Sequence, residues 1–352
     1  MTDLGLIYYL PEKNTFPKAN HLIIVEMKNY INPKISVIIP CFNVANYLQS
    51  CLKSIVVQPI GEVEYIFVND GSTDETLALL TEFCVERPFY QLINQQNAGV
   101  SAARNAALDI AKGEYIYLLD GDDRLTENAI SAMLQCIQDT SVDIVLSEVA
   151  LLRGNASQRE KLLMYAGEYS PDELYRSCSI FPTRPQLLYK RSIIEASRIR
   201  FNSDIRLGEV YEFTIRVLAK SHKVKVTSDC FFYYVMRSSS ATHRPNYSTD
   251  LTVIDTLKQY ELHGNGLKNI PSFQVTAFKM LMSFTYNKYA KLGLNDEITI
   301  NTIKRLLSTP IVKEYINKVA FGKRIPKQER LLALYVLFTG VLGYKMISKF
   351  FK

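Results

Sequence analysis

Between residues 34 and 148, five short apolar runs alternate with stretches of helical period, and this alternation restricts the fold more than any other feature of the chain. The runs are KISVIIP (34–40), VEYIFVND (63–70), YQLIN (90–94), EYIYLLD (114–120) and VDIVLS (142–147). Their β-branched and aromatic residues suit a buried, pleated surface. Between them, Leu48, Cys51, Leu52, Ile55 and Val56 recur at i, i+3, i+4, i+7 and i+8, and Ile130, Met133, Leu134 and Ile137 repeat the pattern. That spacing predicts one apolar helix face in each stretch. Ser72 and Glu75 stand at the spacing of a capping box, which predicts a helix start after the second run. Unbroken apolar strands alternating with helices predict an α/β domain with a mostly parallel sheet, covered by helices on both faces.

The rhythm loosens after about residue 150. RPQLLYKRSIIEASRIRF (184–201) and a helical GEVYEFTIRVLAKS (208–221) precede two strand-like runs, KVKV (223–226) and CFFYYVM (230–236). From about residue 249 the pattern is helical, and the chain shows no internal repeat. These shifts divide it into an N-terminal extension (1–33), an α/β domain (34–245) and a helical C-terminal region (246–352). The first 26 residues have no clear period and contain two prolines, whereas Met27 opens a compact lead-in to the first strand. The expectation is that Met27 is the natural start or that residues 1–26 are loosely attached.

A hydrophobic content of 47% and a charged content of 22% are those of a soluble globular protein. The six cysteines are scattered without a CxxC, and none of the four histidines lies in HExxH. Zinc chemistry and a disulfide framework are therefore disfavoured, and reduced thiols in a cytoplasmic protein are expected. The 41 Lys+Arg and 35 Asp+Glu hide an asymmetry: residues 301–352 hold 11 basic and two acidic residues (Glu314, Glu329), or +9 of a total of +6, leaving −3 for the rest. Residues 331–344 carry no charge, and Lys345, Lys349 and Lys352 then alternate with Met346, Ile347, Phe350 and Phe351. Interrupted by Gly340 and Gly343, the run is shorter than the roughly 20 apolar residues a spanning helix needs. It reads as a basic amphipathic tail drawn to an anionic membrane surface, with a helix packed on the folded domain as the alternative. The uncharged, mainly apolar run argues against nucleic acid as the partner.

Polar residues gather where the apolar runs end. The first run leads into Pro40, Cys41, Phe42 and Asn43, and the second into Asn69, Asp70, Gly71, Ser72, Thr73 and Asp74. The third leads to Asn97 and Gly99, and the fourth into Asp120, Gly121, Asp122 and Asp123. In an open α/β sheet these carboxyl ends form the ligand-binding edge. Carboxylates so close cannot all ionise without a compensating charge. Hard oxygen ligands favour Mg²⁺ or Mn²⁺, and a Mg²⁺ site completed by substrate phosphates predicts a diphosphate ligand. No GxGxxG follows the first run and no GxxxxGK[ST] occurs, so a dinucleotide site and a P-loop are disfavoured. Arg104, in GVSAARNAAL, lies on the first turns of a helix facing the phosphates or solvent.

ISVIIPCFNVANYLQSCLKSI, EYIFVNDGSTDET, NQQNAGVSAARNAAL and GEYIYLLDGDD, in that order, resemble the N-terminal half of a family 2 glycosyltransferase of the GT-A fold. The resemblance spans residues 34–148 strongly and 185–245 more weakly. It implies a Rossmann-like α/β fold, a nucleotide-sugar donor (usually a UDP-sugar), a divalent cation (Mn²⁺ or Mg²⁺) and inversion at the anomeric carbon. It assigns Pro40, Phe42, Asn43 and Asp70 to the donor site, with Pro40 and Asp70 beside the nucleobase and Asn97 and Arg104 near base, ribose and phosphates. Asp120 and Asp122 correspond to the DxD acids, the first toward the ribose and the second on the metal, with Asp123 as a further metal ligand.

Members of the family commonly carry a Glu-Asp pair that opens a helix and supplies the catalytic base. Here RLGEVYEF offers Glu209 but has Val210 in the aspartate's place, so Glu209 is the first candidate base, Glu212 the second and Asp204 the third. YYVMRSSSATH (233–243) resembles the segment that closes over the diphosphate, with Arg237 and Ser240 as donor contacts and His243 as a third metal ligand. The whole reads as a cytoplasmic enzyme, peripheral at the inner face of the cell membrane, adding sugars to a glycan or lipid-linked acceptor in surface-polysaccharide synthesis. A non-catalytic sugar-nucleotide-binding homologue is the competing reading, on the strength of Val210. A nucleotidyltransferase would need a glycine-rich loop where PCFNVANY stands.

Overall fold

The computed structural model describes residues 32–58, 61–85, 89–154, 156–160, 165–177, 187–206, 208–236, 253–263, 274–278, 281, 297–323, 325, 327–328 and 330–336. Residues 1–31 of the N-terminal extension, Arg237, Ser240, His243 and the tail from residue 337 lie outside them.

Strands β1 (Ile35–Cys41), β2 (Val63–Asp70), β3 (Tyr90–Gln95) and β4 (Tyr115–Leu118) alternate with helices α1 (Ala45–Val56), α2 (Thr76–Cys84) and α3 (Val100–Ile110). β5 (Arg124–Leu125), α4 (Ala129–Cys136), β6 (Ile144–Arg153), β7 (Ala156–Glu160), β8 (Gly167–Tyr169) and α5 (Pro171–Ser177) follow. β9 (Leu187–Lys190), α6 (Arg191–Ala196), α7 (Glu209–Leu218) and β10 (Val224–Val235) complete the α/β part. The sheet order is β3-β2-β1-β4-β9-β6-β10-β5, with β7 against β6 and β8 against β10. β3, β2, β1 and β4 are parallel, and so are β6 and β10. β9 runs antiparallel between β4 and β6, so β6 and β10 keep the direction of β4.

Every residue of β1 and β2 is buried, because both sheet faces are covered. Successive side chains point to opposite faces. Ile38 joins a core with Ala103 and Ala107 of α3 and Phe213 and Val217 of α7. Val37 and Ile39 join a second core with Leu48 and Cys51 of α1, Leu80 of α2 and Met133 of α4. Each fully buried isoleucine contributes about 1.5–3 kcal/mol of transfer free energy.

Two details correct the sequence reading. KVKV and CFFYYVM are one strand, β10, which bulges between Val226 and Cys230 where Thr227 bonds Asp229. α2 begins at Thr76 without a Ser72–Glu75 capping box. Instead, Asp74 Oδ1 accepts from the Thr76 N–H at 3.0 Å and Ser72 Oγ accepts from the Asn43 N–H at 3.1 Å. As expected, the C-terminal region is helical: Val253–His263, Glu297–Ser308 and Pro310–Phe321 cover the α3/α7 face, placing Leu257, Ile303, Leu306, Tyr315 and Val319 in its core.

Candidate functional site

The shared strand direction brings the carboxyl ends of β1, β2, β3 and β4 to one sheet edge. The turn after β4 lies directly on the end of β1, with the Gly121 N–H donating to Pro40 O at 3.2 Å. A Cβ on Gly121 would come 2.7 Å from Cys41 Sγ, so only glycine allows this approach. The turn brings Asp120, Asp122 and Asp123 together, each offering a carboxylate oxygen within 4.8 Å of the others'. Asp123 is only 2% exposed, and its Oδ1 accepts from the Val235 N–H at 2.8 Å, which fastens the turn to the end of β10. Asp120 and Asp122 are half-buried and face the open side.

Arg104 is the counter-charge. Its guanidinium is 2% exposed, with Nη2 2.8 Å from Asp120 Oδ1 and Nη1 2.9 Å from Glu209 Oε1. Burial alone would lower its pKa, but the charges of Asp120 and Glu209 outweigh that and raise it. Asp120 and Glu209 thus share Arg104, and Asp122 and Asp123 stand in the same carboxylate cluster. This all-oxygen, net-negative set fits a hard divalent cation.

The donor-side residues divide by what they touch. Phe42 is 47% exposed at the mouth of the edge. Asn43 takes the left-handed conformation (φ 51°) and its Oδ1 accepts from the Thr73 N–H at 2.8 Å, so its side chain ties the β1 and β2 loops together. Asp70 is turned inward: its oxygens accept from Gln95 Nε2 (2.7 Å) and from the N–H groups of Ala98 (2.9 Å) and Gly99 (2.8 Å). This clamp shapes the loop that presents the exposed Asn97. Pro40 is buried in β1 opposite Val68.

The candidate bases separate. Glu209, in the first turn of α7, reaches the aspartate cluster through Arg104. Glu212 is 2% exposed and held by Arg216 at 2.6 and 2.8 Å in a separate cleft of about 390 Å³ lined also by Arg200, Lys220 and Gln259. Its carboxylate is paired with Arg216, whereas Glu209 is the candidate joined to Asp120 through Arg104. Asp204 is exposed in the preceding turn. Val210 is buried in the α3/α7 core. Arg206 escaped the sequence reading. A Cβ on Gly99 would fall 2.4 Å from its Nη1, so it lies across the start of α3. In the sequence nothing separates it from a surface arginine.

Residues 36–196 match the model of Glycosyl transferase family 2. They form a family 2 glycosyltransferase domain. The chain is 31% identical over 209 residues to a poly(ribitol-phosphate) beta-glucosyltransferase of Bacillus spizizenii, covering 58% of this chain and 32% of that protein. It is 23% identical over 316 residues to the putative glycosyltransferase EpsH of Bacillus subtilis, covering 86% and 91%. Thus the chain matches about a third of the first relative and most of the second. The Staphylococcus aureus TarS fragment 1–349, solved with UDP, superposes with a TM-score of 0.65 at 19% identity over 91% of this chain and 92% of that one. That likeness establishes the GT-A architecture of the family 2 domain.

Proposed function

We propose that this chain transfers a sugar from a nucleotide-sugar, of the UDP class, to a hydroxyl of a glycan or lipid-linked acceptor in surface-polysaccharide synthesis. The observation that carries the reading is the cluster of Asp120, Asp122 and Asp123 at the sheet edge, joined through Arg104 to Glu209. UDP in the TarS fragment and the polymer-glucosylating relative from Bacillus spizizenii support the donor and acceptor classes. Asp122, with Asp123 behind it, would hold Mn²⁺ or Mg²⁺, and Asp120 would face the ribose. When bound, the cation supplies Lewis-acid stabilisation of the departing diphosphate. Phe42 and Asn97 border the nucleobase side, and Asp70 shapes the loop that carries Asn97.

Glu209 takes the proton of the acceptor hydroxyl as its oxygen bonds to the anomeric carbon. The bond from that carbon to the nucleoside diphosphate breaks in the same displacement, which inverts the centre. Without an acid at position 210, this chain relies on Glu209, because Glu212, the other acid of that turn, is paired with Arg216.

A screen of UDP-sugars with Mn²⁺, Mg²⁺ or EDTA tests the reading. Slow donor hydrolysis should require the cation and fall about 100- to 1,000-fold in Asp122→Ala, the scale of several kcal/mol of metal stabilisation. Donor binding without any turnover, even with acceptor glycans, would instead favour the non-catalytic reading that Val210 motivates.

A further inference from the structure

Arg104 has a place in the site that donor binding does not explain. We propose, building on the transferase reading, that Arg104 is a positioning residue: a buried strut that sets the separation between the donor-side Asp120 and the acceptor-side Glu209. It makes no contact with the nucleotide itself.

Its surroundings support this. Both terminal nitrogens are committed to carboxylates, one 16 residues ahead and one 105 residues ahead in the chain. A planar guanidinium presents its donors in a fixed fork, so two carboxylates bound to one fork are held at a fixed distance. The face of the fork is covered by Phe201, whose ring centroid lies 5.3 Å from Arg104 Cζ. Phe201 is in turn stacked on Phe213 of α7, with centroids 4.2 Å apart and planes 3° from parallel. Asn105, next to Arg104, clamps the Phe201 backbone from both sides: its Oδ1 accepts from the N–H at 2.7 Å and its Nδ2 donates to the carbonyl at 2.8 Å. α3, the end of β4 and the start of α7 therefore meet at one side chain. The guanidinium is only 2% exposed, so burial as well as its two carboxylate partners shields it from a diphosphate. Because Arg104 engages Asp120 Oδ1, that aspartate keeps its other oxygen for the ligand.

The strut matters more in this chain because its α7 offers no spare acid. Val210 is buried in the core and Glu212 is held by Arg216. Lysine, with a single ammonium, keeps the charge but cannot replace the fork.

The test uses the full chain with Arg104→Lys and Arg104→Met, each alone and combined with Glu209→Gln. Calorimetric Kd for UDP with Mn²⁺, steady-state kcat and donor KM, and thermal unfolding are read for every variant. A strut predicts UDP–Mn²⁺ affinity within about threefold of wild type and kcat lowered about 30- to 1,000-fold in both single variants. In the Glu209→Gln background the second substitution should cost less than about threefold, because the strut has lost one end. A Kd weakened by the same factor as kcat/KM, with kcat unchanged, would make Arg104 a donor contact and overturn the proposal. Additive kcat losses tracking a fall in Tm would reduce it to a packing residue. Should no UDP-sugar bind the wild type, the transferase reading fails on its own terms. The unfolding cycle, which needs no donor, would then still show coupling between Arg104 and Glu209 if the strut exists and additive losses if it does not.

Discussion

Carboxylates of the same residue type serve opposite ends in this molecule, and their neighbours decide which. Glu64 is fully buried and accepts from Ser36 Oγ, Gln91 Nε2 and the N–H groups of Lys112 and Gly113, so its charge is spent on holding the α3–β4 turn. Asp120 instead spends one oxygen on Arg104, and it and Asp122 stay half-buried in the acidic cluster. Asp74 is a third kind: its two oxygens accept from the Thr76 N–H and, at 3.1 Å, from the Ala45 N–H, so one side chain serves the starts of both α1 and α2. Burial would raise its pKa, but the bonds from Thr76 and Ala45 prevail and lower it. A carboxyl held below its unfolded value stabilises the fold above that value, near pH 4, and loses the contribution as pH falls through the folded value. Asp74→Ala should therefore cost about 1 kcal/mol at pH 7, the usual worth of a cap. Urea titrations at pH 7 and pH 3 should show the gap between wild type and variant shrinking in acid; an equal gap at both would refute the assignment. Nothing in NDGSTD distinguishes Asp74 from Asp70, because the distinction rests on where the α1 N-terminus arrives.

At the scale of elements, the site depends on how closely two loops approach. Gly71 ends β2 with φ +69°, and a Cβ there would lie 2.5 Å from the Asn97 backbone nitrogen. Gly71→Ala adds left-handed strain of roughly 1–2 kcal/mol and pushes the Asn97 loop away. The expected result is a tenfold or greater loss of UDP affinity by calorimetry while the circular dichroism spectrum is retained. Gly154 is the control: its φ is +59°, but a Cβ there would meet no atom within 4 Å, so Gly154→Ala should carry strain alone and bind UDP normally. Wild-type affinity in Gly71→Ala would move the donor away from this edge. The strands β1 to β3 were legible to within a residue at each end because their runs are rich in apolar, β-branched and aromatic residues. β9 was not, since its four residues sit inside a longer mixed segment and take strand form only by filling the gap between β4 and β6.

For the whole molecule, the C-terminal helices complete the α/β core. Leu257 is fully buried, and Tyr315 donates to Glu261 across two helices. Ala333 and Val336, at the start of the uncharged run, are buried in the same core. Among the described residues no helix is long and apolar enough to cross a membrane. The lipid-facing role proposed for the tail therefore rests on Lys345, Lys349 and Lys352 with their apolar neighbours. The full chain should float with vesicles containing anionic phosphatidylglycerol, and replacing those lysines with glutamate should abolish flotation, each lysine being worth about 1 kcal/mol near such a surface. Unchanged flotation in that variant would leave the tail without this role. The sequence by itself determined the alternating strands and helices, the polar strand ends and the family, because these are local patterns of side-chain chemistry repeated along the chain. Only the tertiary structure decided that Glu209 rather than Glu212 joins the aspartates and that Asp70 faces inward. It also decided that Arg104 binds two acids far apart in the chain. The physical reason is that charge pairing is set by distances across the fold, and residues 104, 120 and 209 become neighbours only when α3, β4 and α7 pack together.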